Sequence, residues 1–193
     1  MIEAIKNILK TKTIGIAGVG GLGSNCAVSL ARVNVGNLII ADFDVIEKSN
    51  LNRQYYFYNQ IGQKKVSALK NNIKNINPDV KVKAVDIKLN SENIIELFKN
   101  CDVIIEAFDK AEMKQMIIET VLDKMPDKTL IVGVGMAGWG NNNTLKTKKT
   151  GNLYICGDGV SEVCDKEPAL APRVGIVANM LANQALEILL NNL

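Results

Sequence analysis

The chain has no histidine among its 193 residues. That absence removes the Ser–His and Cys–His nucleophile pairs and any His-bound metal. Proton transfer, where needed, falls to carboxylates, Lys, Tyr or Cys. Cysteine is scarce: Cys26, Cys101, Cys156 and Cys164 form no Cys-x-x-Cys pair. Neither a zinc knot nor a redox dithiol is indicated, and reduced thiols in a cytoplasmic protein are the simplest reading. No run reaches the roughly 18 apolar residues that cross a bilayer, so no membrane is expected. The stretch from Met1 to Lys12 mixes Glu and Lys into an amphipathic pattern unlike a signal peptide. A dominant charge is lacking too. The net charge is only +3, with no Lys/Arg stripe to hold nucleic acid. The densest cluster, Lys146, Lys148 and Lys149, alternates with threonines near a glycine, as a solvated loop does. Magnesium held by carboxylates and phosphate oxygens survives these exclusions.

Hydrophobic residues make up 47% and charged residues 22% of the chain, the balance of one globular domain, expected here over residues 1–193. Short apolar runs alternate with longer periodic ones, which predicts an α/β fold: a Rossmann-like, mainly parallel sheet with helices on both faces. Ile2, Ile5, Ile8 and Leu9 stripe a leading helix. Strands are expected at 13–19, 37–41, 80–85, 102–107 and 130–134, and helices at 22–33, 64–75, 91–99, 112–124 and 172–190. Residues 144–147 and 152–155 suggest an antiparallel hairpin extending the sheet in the C-terminal third. Residues 160–171 read as an irregular crossing loop before the last helix.

Two signatures carry the chemistry. Gly18-Val19-Gly20-Gly21-Leu22-Gly23 fits Gly-x-Gly-x-x-Gly between a strand and a helix. There Gly18 and Gly20 permit a tight turn and close phosphate approach, Gly23 lets helix and strand pack, and the helix N-terminus faces an anion. Asp42, at the tip of the second strand, suits a ribose, since one carboxylate can accept from both hydroxyls. Then comes Ser49-Asn50-Leu51-Asn52-Arg53-Gln54, a polar cluster ending near a fixed cation. A cation beside bound phosphates favours chemistry at phosphorus over hydride transfer.

Gly18 to Ser24 (GVGGLGS), Asp42 to Gln54 (DFDVIEKSNLNRQ), Gly62 to Val66 (GQKKV), Asp102 to Asp109 (DVIIEAFD) and the C-terminal PRVGIVANMLANQALEILL together resemble the ThiF/MoeB/HesA family. These are bacterial relatives of ubiquitin-activating enzymes, and the likeness spans about residues 13 to 190. The SNLNRQ block is far more specific than the glycine loop. The resemblance implies ATP-dependent adenylation of the C-terminal glycine of a ubiquitin-like sulfur carrier ending in Gly-Gly, within a cytoplasmic homodimer. The compact length resembles the thiamine branch. By motif, Gly18, Gly20, Gly21 and Gly23 cradle phosphates, and Asp42 holds the ribose. Asn50, Arg53 and Lys65 bind the triphosphate, Asp44 and Gln54 support them, and Asp109 holds magnesium. Arg53, Lys65 and Asp109 are then the catalytic set, joined by Cys164, in the loop where thiamine-branch relatives carry a cysteine that links covalently to the carrier. Its neighbours Glu162, Asp165 and Glu167 do not favour a thiolate, so Cys164 is either that nucleophile or a loop thiol without a role. Trp139 either contacts a partner or packs on the sheet.

The chain also departs from the family. Many relatives bind zinc through two Cys-x-x-Cys pairs; here Cys156 stands alone, and zinc is not expected. Many carry an N-terminal arginine that reaches the partner's ATP, whereas the first arginine here is Arg32. That contribution is missing or falls to Lys6, Lys10 or Lys12. Two other readings stay open. An NAD-dependent oxidoreductase explains the glycine loop and Asp42 but gives Asn50, Arg53 and Lys65 no role. A catalytically weak carrier-binding relative fits the missing arginine.

Overall fold

The computed structural model describes residues 2–191. Helix α1 (Ile2–Leu9) leads into β1 (Thr13–Ala17), α2 (Gly21–Arg32) and β2 (Asn37–Asp42). After two short 3₁₀ turns, Lys48–Asn52 and Tyr58–Gln60, come α3 (Lys65–Ile76), β3 (Lys81–Asp86), α4 (Ser91–Phe98) and β4 (Val103–Glu106). Then follow α5 (Ala111–Lys124), β5 (Thr129–Gly133), β6 (Lys146–Thr150), β7 (Leu153–Gly157) and α6 (Ala171–Leu190). The seven strands form one sheet in the order β3-β2-β1-β4-β5-β7-β6. Among the described residues no helix is long and apolar enough to cross a membrane.

The period-2 alternation of the strands divides the core in two. Ile14, Ile16, Leu38, Ile40, Val103 and Ile105 pack on one face with α2, α3 and α6. Ala17, Ala41, Ile104, Leu130 and Val132 pack on the other against α4 and α5, where Ile94, Phe98, Ile117 and Val121 are fully buried. The parallel strands are apolar toward both layers, as strands covered on both sides must be. Burying one such Ile or Phe side chain contributes about 1.5–3 kcal/mol.

The expected elements are present, with shifts at their ends. β1 stops at Ala17 because Gly18 turns into the left-handed region, φ 86°. The hairpin's strands shift more. The antiparallel hairpin is present as β6 and β7, and it joins the sheet through β7, which pairs in parallel with β5. Residues 142–144 form a 3₁₀ turn instead of opening the first strand. All five residues of β6 are exposed, so no hydrophobic period marks its start. Trp139, 67% exposed, does not pack on the sheet.

A buried ion pair ties β4 to α5 and β5. Glu106, fully buried at the end of β4, faces Lys114 at 2.9 Å, and the same ammonium donates to the Gly133 carbonyl at 2.9 Å. Burial pushes the Glu106 carboxyl up, opposed by Lys114 and by the Phe108 N–H. Lys114→Met leaves that carboxyl without its partner and should cost about 3–5 kcal/mol in urea unfolding. The double variant Glu106→Gln/Lys114→Met should recover most of the loss; a single-variant cost under about 1 kcal/mol would show that the pair is dispensable.

The thiols divide by burial. Cys26, Cys101 and Cys156 are buried, and Cys164 is exposed. Burial pushes Cys101 up to about 12 and raises Cys26 and Cys156 as well, which keeps them as unreactive thiols. Brief alkylation of the native protein at pH 8, read by peptide mass spectrometry, should give one adduct, at Cys164. Early labelling of Cys101 or Cys156 would contradict this packing.

Candidate active site at the strand-order reversal

The chain winds outward from β1 through β2 to β3, then returns to place β4 on the other side of β1. The connections leaving β1 and β4 therefore diverge, and a crevice opens at the carboxyl ends of these strands. A cavity of about 540 Å³ occupies it. Gly18, Gly20 and Gly21 line it from the β1 exit, Asp42 and Asp44 from the β2 exit, and Asp109 from the β4 exit. Arg53, Gln54 and Lys65 complete the polar wall, while Ile87, Leu89 and Met113 make an apolar end.

The glycine loop is built for close approach. Gly18 has a positive φ, and a Cβ there would meet the Ala107 carbonyl at 3.0 Å. A Cβ on Gly23 would collide with the Gly18 carbonyl, so this glycine serves the packing of helix on loop and does not line the cavity. No side chain caps the start of α2, and its first turn holds no acid. The amides there are left for an anion.

Asp42 locks the loop to β2. Its Oδ2 accepts the Val19 N–H at 2.8 Å and its Oδ1 the Asp44 N–H at 2.9 Å. Each carboxylate oxygen keeps a lone pair for a further donor, such as a ribose hydroxyl. Lys65, 6% exposed, is the first residue of α3 and pairs with Asp44 at 2.8 Å. Its neighbour Lys64 turns away to Asp86 and the Phe43 carbonyl. Of the two adjacent lysines, only Lys65 reaches the cavity.

Arg53 is held differently. Its Nη1 donates to the Ser49 carbonyl at 3.2 Å and to Asn52 Oδ1 at 2.8 Å. It forms no ion pair among the described residues. Gln54 lies beside it, nine-tenths buried, with Oε1 lacking a partner. Asn50 does not line the cavity. Its Oδ1 accepts the Glu47 N–H at 3.0 Å, so this oxygen shapes the 3₁₀ turn from which Arg53 projects. Cys164 is exposed, and although its neighbour Val163 lines the cavity, Cys164 does not. Lys10 and Lys12 lie at the opposite end of the sheet: the Lys10 carbonyl lies against Gly36, and Lys12 pairs with Asp102 before β4. Within one chain they are remote from the crevice.

Three residues escaped the sequence reading. Ser24 donates to the Gly20 carbonyl at 2.6 Å and accepts the Tyr55 N–H at 2.9 Å. Asn25 bridges the carbonyls of Gly21 and Arg53 at 2.7 and 2.9 Å. The buried Tyr56 hydroxyl donates to the Val19 carbonyl at 2.7 Å. Burial, helped by Asp42 and Asp44, raises its pKa, which keeps it a neutral donor. Together they bind the Arg53 segment to the glycine loop. The one hint in the sequence is the pair of short polar residues directly after Gly23, on the first turn of α2.

Asp109 is exposed at the cavity edge. No group of three metal-ligating side chains exists among the described residues. One carboxylate beside an anion-binding loop fits magnesium, which takes most of its oxygens from water and phosphate. Cations and acids balance around the cavity, with Arg53, Lys65, Lys88 and Lys110 facing Asp42, Asp44, Asp109 and Glu112. The arrangement can seat a nucleotide with its base toward Ile87 and Leu89 and its phosphates between the glycine loop and Arg53.

The comparisons agree with this architecture. The adenylyltransferase and sulfurtransferase UBA4 of Eremothecium gossypii is 30% identical over 190 residues, covering 94% of this chain and 42% of that protein. Adenylyltransferase and sulfurtransferase MOCS3 of Dictyostelium discoideum is 28% identical, covering 95% and 44%. The chain thus spans less than half the length of these curated relatives. Among solved structures, Escherichia coli tRNA N6-threonylcarbamoyladenosine dehydratase (TcdA), in complex with ATP, superposes with a TM-score of 0.88 at 19% identity, covering 98% of this chain and 90% of that one. Escherichia coli MccB with ATP gives 0.74 at 20% identity, covering 96% and 57%. These two establish likeness of fold. The model of the ThiF family matches residues 2–192, and the chain belongs to that family.

Proposed function

We propose that this protein binds ATP in the crevice and adenylates the C-terminal glycine of a ubiquitin-like sulfur carrier ending in Gly-Gly. The observation that carries the reading is the convergence of an uncapped helix N-terminus, the unpaired guanidinium of Arg53 and the buried Lys65 on one cavity. Dinucleotide binding accounts for the glycine loop and Asp42 but leaves that pair of cations idle. The 30% identity to a protein named adenylyltransferase and sulfurtransferase supports adenylyl transfer as the reaction.

The chemistry suits a chain without histidine. A terminal carboxyl has a pKa near 3.3–3.7, so the acceptor is already ionised at neutral pH and no general base is required. Its oxygen attacks the α-phosphorus, the bond to the bridging oxygen of pyrophosphate breaks, and an acyl-adenylate and pyrophosphate result. The barrier lies in bringing two anions together and in placing charge on the departing pyrophosphate. The α2 amides hold the phosphate chain, Arg53 offers its fork to phosphate oxygens, and Asp42 fixes the ribose. Lys65, already neutralised in part by Asp44, positions the phosphates at smaller charge. Magnesium on Asp109 would supply charge neutralisation of the phosphates.

We further propose that the carrier serves thiazole formation in thiamine synthesis and that the protein acts as a homodimer in the cytoplasm. The first rests on the chain's resemblance in length to compact ThiF-like proteins, the second on the pairing of family relatives through this domain, and the third on cysteines that form no Cys-x-x-Cys pair. We propose Cys164 as the thiol that takes the activated carrier tail after adenylation, a reading supported by its exposure and by its neighbour Val163 in the cavity wall, and Cys164→Ser should then adenylate normally while failing in sulfur transfer.

ATP–pyrophosphate exchange tests the reading. Exchange should require a carrier ending in Gly-Gly. Arg53→Ala or Asp109→Ala should lower kcat/KM about 10²–10³-fold, and Arg53→Lys more than about tenfold, because a point charge cannot replace a planar fork. Tight NAD binding without ATP affinity would sink the proposal. Exchange that depends on tRNA in place of a carrier would move the acceptor to a nucleoside carboxylate.

A further inference from the structure

Residues 159–170 connect β7 to α6 and carry Val163 and Ala169 into the cavity wall. Val160 and Val163 are 82% and 59% exposed, so burial of its own side chains does little to fix this loop. Its two ends, however, are fastened to each other. Arg173, in the first turn of α6, donates from Nη2 to Asp158 Oδ2 at 2.7 Å, with side chains only 6% and 4% exposed. Asp158 Oδ1 accepts the N–H groups of Val160 and Ser161 at 2.9 and 2.8 Å. Burial opposes ionisation of Asp158, but those donors, the Ser161 hydroxyl and Arg173 outweigh it and hold the carboxyl below the usual range. The guanidinium also donates to the Gly140 carbonyl and reaches Thr144 Oγ1 at 3.4 Å.

One buried cation thus joins the start of α6, the exit of β7 and the 140–144 segment. That segment's neighbours are tied to the loop as well: Ser161 Oγ accepts the Ala137 N–H at 3.2 Å, and the Pro168 carbonyl accepts the Gly138 N–H at 3.0 Å. Burying the pair is costly. Arg173 Nε is itself buried without a partner, and apolar residues in such a place are often as stable or more so. What the pair supplies and an apolar contact would not is a directed geometry at the base of the loop: Nη2 of the planar guanidinium holds Asp158 while Nη1 holds the Gly140 carbonyl.

We propose that Arg173 and Asp158 form a clasp that sets where the loop 159–170 stands beside the cavity and so positions the carrier's tail against bound nucleotide. Neither residue lines the cavity; both are positioning residues. The inference deepens the carrier-adenylation reading and rests on it for the nature of the substrate.

The test has two arms. In the first, wild type, Arg173→Gln, Arg173→Lys and the neutral double variant Asp158→Asn/Arg173→Gln are exposed to a glutamate-specific protease. Cleavage after Glu162 should accelerate about tenfold or more in Arg173→Gln and in the double variant. It should accelerate less in Arg173→Lys, which keeps a charge for Asp158 but loses the fork that also serves Gly140. In the second arm, ATP–pyrophosphate exchange is measured with a ubiquitin-like protein ending in Gly-Gly. The KM for that protein should rise about 10–100-fold, while the KM for ATP stays within about twofold, the margin expected when no phosphate contact is lost. The double variant covers the case in which Arg173→Gln fails to fold. Unchanged cleavage at Glu162 and unchanged carrier KM in a folded variant would overturn the clasp, as would carrier and ATP KM values rising together. Wild type without carrier-dependent exchange would retire the carrier reading, and the protease arm would still decide the clasp.

Discussion

When a parallel sheet winds first to one side of its leading strand and then to the other, the connections leave that strand in opposite directions, and the peptide groups between them lose their strand partners. At β1 this happens beside β4, and one carboxylate fixes the β1 side of the opening. Asp42 accepts from Val19 in the loop after β1 and from Asp44 in the loop after β2. The loops after β1 and β2, which form one side of the crevice, are thereby held at a fixed separation. Tyr56, Ser24 and Asn25 then fasten the Arg53 segment onto the same loop. The site is rigid on the phosphate side because its cradle and its cation share hydrogen bonds.

That rigidity shapes the electrostatics. Lys65 is buried and paired with Asp44, so its charge is partly spent before any ligand arrives. Arg53 is anchored only through neutral oxygens, and its full charge remains available. A preorganised cation that need not break an ion pair to meet a phosphate stabilises developing charge at little reorganisation cost. The far side of the cavity is built in another way. There a loop with exposed apolar residues stands between β7 and α6, and its geometry depends on the buried Arg173–Asp158 pair and on bonds to residues 137–140. A fixed half beside the glycine loop and a fastened loop opposite it are the two parts that the proposed transfer of a nucleotide to a protein tail would use.

Much of the frame was legible because its signals are local. The apolar runs and the helical stripe of 172–190 named their elements to within two residues, and the ThiF likeness rests on contiguous motifs. Other features depend on partners far apart in the chain. β6 is uniformly polar, so no period fixed its ends. The parallel pairing of β7 with β5 follows from a crossover that no local pattern encodes. Lys64 and Lys65 are indistinguishable by motif, and only the start of α3 turns one inward. Asn50 belongs to the same motif as Arg53, yet its side-chain oxygen is engaged in the turn. Asp158 and Arg173 are 15 residues apart, and nothing in the sequence marks them as a buried pair.

The central claim is that this crevice transfers an adenylyl group to a carboxylate. Intact-mass spectrometry of a ubiquitin-like carrier ending in Gly-Gly, incubated with the protein, magnesium and ATP, tests it most directly. The account predicts that the carrier gains the mass of one adenylyl group, that hydroxylamine removes it, and that truncating the terminal glycine abolishes it. A carrier of unchanged mass, together with a protein that binds NAD and not ATP, would contradict the account.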